Sequence, residues 1–373
     1  MGLFLGLIYG YLWFASIFAG YAAFYCPLFP VVFLSSRLYR CIFDFVLTFW
    51  QYYPTALLEF LCHCDVQVTG DAIRTDETSL LVSNHRTRTD WNFLWPAMYY
   101  AIEGKRKICH STKFILKDVI RFIPGPGWTM QLSGYLFVKR NWSIDKETVE
   151  KYINFVSNIC YKHVLVLFPE GTDLTEKTKR GSDRYAEKNH LKKYQNVLHP
   201  RTTGFGYIAS RMMADGCLDA LYDVTIVYPD VVPQNEKVLF SGGFPKRVKV
   251  HLVRYPSSSL PATEASLKLF LENRWSEKEK TIEEFKCTGR FLHGKVLSDK
   301  SNKLELYIAL VFWSVLPYVV LYVLYVFTLF RHLILIDSLL LVGLNCVGRG
   351  FPAFEIGLHN LKTSVLDLFR DRG

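Results

Sequence analysis

His85 and Asp90 lie five residues apart in the run Asn84-His85-Arg86-Thr87-Arg88-Thr89-Asp90. A histidine beside a carboxylate can serve as a general base. The imidazole takes a proton from an attacking hydroxyl, while the carboxylate fixes its tautomer and stabilises the imidazolium. The spacing alone is common, and the same two residues also read as a surface histidine and a helix-capping aspartate. What precedes them adds weight. The apolar run Leu80-Leu81-Val82-Ser83 reads as a strand that delivers the pair to the carboxyl edge of a sheet, where sites in α/β folds gather. Three further runs end in the same way. One leads from Gly134 to Lys139 and Arg140. The second, Val164-Leu165-Val166-Leu167, runs into Phe168-Pro169-Glu170-Gly171-Thr172. The third, Thr225-Ile226-Val227-Tyr228, stops at Pro229. In a parallel sheet all four polar tips share one edge.

The elements that must hold these tips are visible in the pattern. Residues 79–83, 134–139, 163–168, 223–228 and 248–255 are β-branched and aromatic enough for strands. Residues 91–102, 144–161, 203–213 and 263–285 read as helices. Their alternation predicts an α/β fold, a mixed and largely parallel sheet flanked by helices. Residues 175–198 read as a polar surface loop with a short helix.

The ends of the chain are different. Residues 1–36 carry no charge, and 3–25 suffice for one membrane helix. Residues 41–61 are apolar but interrupted by Asp44, Gln51, Pro54 and Glu59, which favours a helix lying in the interface over a second span. Residues 306–330 can span, and 333–348, with Asp337, are short for another crossing. The expected division is a membrane-anchoring segment 1–61, a catalytic domain 62–302, and C-terminal membrane helices with a tail, 303–373. Arg37 and Arg40 after the first span place the catalytic domain in the cytosol.

The 373 residues are 50% hydrophobic with a net charge of +10, which suits an anionic surface or a phosphate-bearing partner. No zinc-finger, basic-zipper or RNA-binding pattern accompanies that charge, so no nucleic acid partner is expected. The nine cysteines show no paired metal-clip spacing; Cys62-His63-Cys64 reads as buried thiols, and no metal is expected.

The four strand-end blocks, in this order, resemble the four motifs of the glycerolipid acyltransferases. The likeness extends to the lysocardiolipin branch through Arg86-Thr87-Arg88, Ile123-Pro124-Gly125-Pro126-Gly127-Trp128 and Leu198-His199-Pro200-Arg201-Thr202-Thr203-Gly204-Phe205. It implies transfer of an acyl chain from acyl-CoA, as co-substrate and without a cofactor, to a free hydroxyl of a lysophospholipid. The expected acceptors are lysocardiolipin, lysophosphatidylinositol, lysophosphatidylglycerol or lysophosphatidic acid, at the endoplasmic reticulum membrane. His85 would be the base and Asp90 its orienter. Phe168, Pro169, Glu170, Gly171 and Thr172 would seat the acceptor headgroup, and Arg140 would meet its phosphate. Asn84, Lys117 and Arg121 are possible phosphate or CoA contacts, with Lys113 beside them. Tyr228 reads as wall.

Two rivals need different features. A lipid-binding protein of the same fold without activity needs no intact His85–Asp90 pair. A serine hydrolase would use Ser83, but the chain has no Gly-x-Ser-x-Gly elbow.

Overall fold

A computed structural model describes residues 2–104, 107–298 and 303–370, with side chains through residue 365. Its centre is an eight-stranded sheet: β1 (Asp65–Gly70), β2 (Ser79–Ser83), β3 (Thr112–Lys117), β4 (Leu136–Val138), β5 (Val164–Leu167), β6 (Ala220–Val227), β7 (Arg247–Pro256) and β8 (Lys295–Val296). The spatial order is β8-β1-β7-β6-β2-β5-β3-β4. Five strands, β6, β2, β5, β3 and β4, run parallel, whereas β7 is antiparallel to β6 and β1 antiparallel to β8. The sheet is therefore mixed and largely parallel, and the four tips read from the sequence emerge from one edge.

Alternation along the central strand builds two cores. Leu80 and Val82 face a layer made by α5 (Trp142–Asn158), α7 (Thr202–Ala214) and α9 (Glu264–Thr288). Leu81 faces the opposite layer, which holds α2 (Ser36–Ala56) and α3 (Asp90–Ala101). Burial on both faces explains why β2 is apolar throughout rather than alternating. Between these elements lie α4 (Pro126–Leu132) and α6 (Glu176–Lys188).

Helix α2 departs from the expectation of an interfacial segment. Tyr39, Phe43 and Tyr53 are fully buried, and protein covers most of its surface. Its Asp44 accepts hydrogen bonds from Lys113 Nζ (2.6 Å), Ser111 (2.7 Å) and Tyr161 (2.7 Å). Arg40 pairs with Glu355 of the C-terminal helix, so it is no free flanking charge. Asp44 and Gln51, which interrupted the apolar pattern, are polar contacts of a core helix, Gln51 donating to the Thr112 carbonyl (3.2 Å).

Among the described residues, three helical segments are long and apolar enough to cross a membrane: Gly2–Phe33, Leu304–Val326 and Thr328–Val347. The last begins five residues before the apolar run read from sequence, which gives it 20 residues. The first opens with α1 (Gly2–Gly20). It lies on α8 (Glu236–Phe240) through Gly6 and Gly10 and on the turn that follows, Ser241 and Gly242, through Gly2. A Cβ on Gly6 would sit 2.2 Å from the Phe240 carbonyl oxygen, so the close approach requires glycine there. The C-terminal helix Phe351–Arg370 folds back on the sheet domain, its His359 ring 5.3 Å from Phe155.

Candidate active site

β2 ends in Ser83, and the next residue turns inward. The Asn84 side chain is spent on the neighbouring strand, accepting from the Ile226 amide (2.9 Å) and donating to the Ile226 carbonyl (3.0 Å). It is thus a clamp that holds the turn against β6, not a phosphate contact as the sequence suggested. Ser83 donates to the Asn84 carbonyl and is fully buried, which removes it as a nucleophile.

The turn carries His85 to Asp90, which opens α3. Nδ1 of His85 lies 3.0 Å from Asp90 Oδ2. The same oxygen accepts the Thr87 amide (3.0 Å), while Oδ1 accepts the Thr87 hydroxyl (3.0 Å) and the Tyr228 hydroxyl (2.7 Å). Four donors at the start of α3 thus hold the Asp90 side chain in one orientation. The bond to Asp90 puts the proton on Nδ1 and leaves Nε2 with a lone pair. Asp90 is wholly buried, but the His85 side chain keeps 16% of its surface exposed. Burial works against the imidazolium, yet the bond and charge of Asp90 outweigh it and hold the His85 pKa above its ordinary 6.5.

The β5 turn closes over this base. The Phe168 ring stacks on the imidazole, with centroids 4.3 Å apart and planes 24° from parallel. Glu170 points inward, where Oε1 accepts from the His85 amide (3.3 Å) and the Trp275 indole (3.2 Å). Burial pushes its carboxyl up to about 7, against the pull of the Leu198 amide and of His85. Pro169 is buried, Gly171 takes the left-handed conformation with φ +73°, and the Thr172 hydroxyl faces Asp173 (3.4 Å).

The other expected contacts scatter. Arg140, just beyond β4, has φ +62°, an uncommon conformation for a residue with a side chain. Asp145 holds it there by accepting the amides on either side, Lys139 N (2.7 Å) and Asn141 N (2.8 Å). Lys117 is exposed on the last position of β3. Arg121 is buried, its Nε 3.3 Å from Asp118, so it packs the 118–122 turn rather than meeting solvent ligands. Lys113 is also a structural residue, fully buried on Asp44 and the Ser133 carbonyl.

Four residues at this site escaped the sequence reading: Thr87, Tyr228, Gln234 and Trp275. Thr87 sits inside the motif, and its position three residues before Asp90 was the available signal. Tyr228 read as wall but donates to Asp90. Gln234 joins the two turns by donating to Asp173 (2.9 Å) while its carbonyl oxygen accepts the Arg88 amide (3.1 Å). Trp275 comes from a helix a hundred residues later, and no local spacing announces it.

Residues 65–229 match the acyltransferase family model, and 238–313 match the model of the acyltransferase C-terminus. Lysocardiolipin acyltransferase 1 of Gallus gallus is 37% identical over 341 residues, 89% of each chain. The Mus musculus protein of that name is 42% identical over 273 residues, 73% of this chain and 71% of that one. Lysophosphatidylinositol acyltransferase 10 of Caenorhabditis elegans is 35% identical over 248 residues, 66% of this chain and 63% of that one. The crystal structure of the 1-acyl-sn-glycerophosphate acyltransferase PlsC from Thermotoga maritima overlays with a TM-score of 0.49 at 17% identity. That overlay covers 78% of this chain and 98% of that one. At that identity and coverage, this chain belongs to the glycerolipid acyltransferase family and is an acyl-transferring enzyme.

Proposed function

We propose that the protein transfers a fatty acyl chain from acyl-CoA to a free hydroxyl of an anionic lysophospholipid, with His85 as general base and Asp90 as its orienter. One observation carries this reading: Nδ1 of His85 is locked to a fully buried, four-times hydrogen-bonded Asp90, and the ring stays partly exposed. Nε2 takes the proton of the acceptor hydroxyl as its oxygen attacks the thioester carbonyl. The tetrahedral intermediate collapses with cleavage of the carbon–sulfur bond, and the departing CoA thiolate recovers the proton from Nε2. The aspartate remains ionised and stabilises the imidazolium between these steps.

The oxyanion needs a donor. Among the described residues of the turn, the amides of His85, Thr87, Arg88, Thr89 and Asp90 are all bonded within the protein. The Arg86 amide has no such acceptor, which makes it the candidate donor. The headgroup would lie toward Gly171, Thr172 and Arg140. Acceptors are those that the relatives' names suggest, lysocardiolipin and lysophosphatidylinositol, together with lysophosphatidylglycerol and lysophosphatidic acid. The reaction would serve phospholipid synthesis or remodelling at the endoplasmic reticulum, with the sheet domain on the cytosolic face.

An inactive lipid-binding protein would have no use for the buried hydroxyls of Thr87 and Tyr228 aimed at Asp90. Membranes carrying the protein, labelled acyl-CoA and each lysolipid in turn decide between the two. Label should move into a diacyl product only when an acceptor is present; no transfer with any acceptor would sink the reading. Asn141-Trp142-Ser143 gives an independent check on topology. Asn141 already caps α5 through Ser143 N (3.2 Å), and a glycan found there would put the domain in the lumen.

A further inference from the structure

We propose that Arg201 and Arg140 together form a two-guanidinium clamp for one phosphate group at the rim of the active site. The inference rests on the acyl-transfer reading and deepens it by assigning Arg201, which lies in neither strand-end turn. The Arg201 amide donates to the Pro169 carbonyl (2.8 Å), which ties it to the turn that stacks on His85. Its side chain then runs over Gly171, where an added Cβ would sit 3.3 Å from Nε. Gly171 thus leaves room for the guanidinium to lie along the backbone.

Arg140 follows the end of β4. Two residues on, Trp142 lies 3.9 Å from where a Cβ of Gly204 would be, and the Trp142 and Tyr207 rings meet at 5.2 Å. The starts of α5 and α7 are therefore neighbours, and each start carries one arginine just before it. Both side chains are exposed, and among the described residues neither has a carboxylate within salt-bridge distance. Their charges oppose each other: Arg140 is held below its ordinary pKa by partial burial first and by Arg201 second. Like charges left side by side, with two helix N-termini adding positive potential, fit a site completed by an anion. The strained φ of Arg140, enforced by Asp145, shows that its direction is fixed by the fold rather than by chance. Guanidinium pairs suit phosphate because each offers parallel N–H donors.

The phosphate is that of the lysophospholipid headgroup or one carried by CoA, and kinetics separates the two. R201Q, R140Q and R201K full-length enzymes are assayed in membranes with each substrate varied. Equilibrium binding of labelled lysophosphatidylinositol to the solubilised chain is measured alongside. R201Q should raise one KM by roughly 10- to 100-fold, the loss expected for one charged hydrogen-bonded partner, with kcat changed little. R201K should recover part of it. A rise in the acceptor KM with weaker lysolipid binding assigns the headgroup; a rise in the acyl-CoA KM alone assigns CoA. Unchanged KM values for both substrates in R201Q overturn the clamp. So does a fall in kcat alone. Absence of transfer by the unmodified enzyme would instead count against the reaction, and the lysolipid binding arm would still judge the clamp.

Discussion

Two of the pairs formed by a base and a buried aspartate, Lys113–Asp44 and His85–Asp90, differ in what they leave open. Lys113 and Asp44 are sealed between β3 and α2: the ammonium is fully buried, bonded to Asp44 and the Ser133 carbonyl, and pushed down to about 8 by burial. His85 and Asp90 share the motif of a base on a buried carboxylate, but one nitrogen of the ring is uncommitted and part of its surface is open. The difference is access. A pair sealed from solvent fixes structure, whereas a partly exposed pair with one lone pair left over has the means to move a proton.

Mutation should separate the two. The largest effect falls on H85A, for which we expect transfer to drop by roughly 10³- to 10⁴-fold at unchanged thermal stability, since general-base removal costs about that much. A variant that keeps a tenth of the rate would end the assignment of His85. D90N should follow at roughly 10²- to 10³-fold, because the amide can present N–H to the ring and favour the wrong tautomer. It should also shift the pH profile. Activity needs neutral imidazole, so kcat/KM should climb with pH through a limb centred above 6.5, because Asp90 raises the His85 pKa. In D90N that limb should move to lower pH; an unmoved limb would belong to another group. Tyr228→Phe removes one of four donors to Asp90 and should cost about 3- to 10-fold in kcat, since three donors still hold the carboxylate in place. Lys113→Met closes the series. Turnover per folded molecule should stay within about twofold, while stability falls by about 3–5 kcal/mol because Asp44 is left without its cation. Activity of the folded fraction lost along with the stability would show that the sealed pair shapes the site after all.

Much of the site was legible because it is local. Strand, turn and helix cap occupy one stretch from Ser79 to Asp90, and the Phe168 turn repeats the pattern, so periodicity and punctuation reveal both. The strands at positions 65–70 and 112–117 were missed: the first mixes polar residues into a short run, and the second carries a buried lysine at its second position. Burial of Lys113 depends on Asp44, 69 positions earlier, and no window sees that far. Helix α2 failed for the same reason, since its charges read as exposed until Glu355 and Lys113 arrive from elsewhere. Trp275 under Glu170 is likewise a long-range contact. Asn84 shows the opposite error, where a polar residue in the right motif serves the backbone instead of a ligand.

The glycine face of α1 has a consequence for how the enzyme meets its lipid. Gly2, Gly6 and Gly10 seat the helix on the 236–242 segment, and the Tyr9 hydroxyl donates to Asn92 (2.8 Å), two positions after Asp90. The candidate span and the His85 turn are thus packed on one another. On the proposed reading, the altitude of His85 above the acyl chains is a built-in dimension, like the height of a tool on a fixed post, and the depth at which a hydroxyl must be offered is set before any lipid arrives.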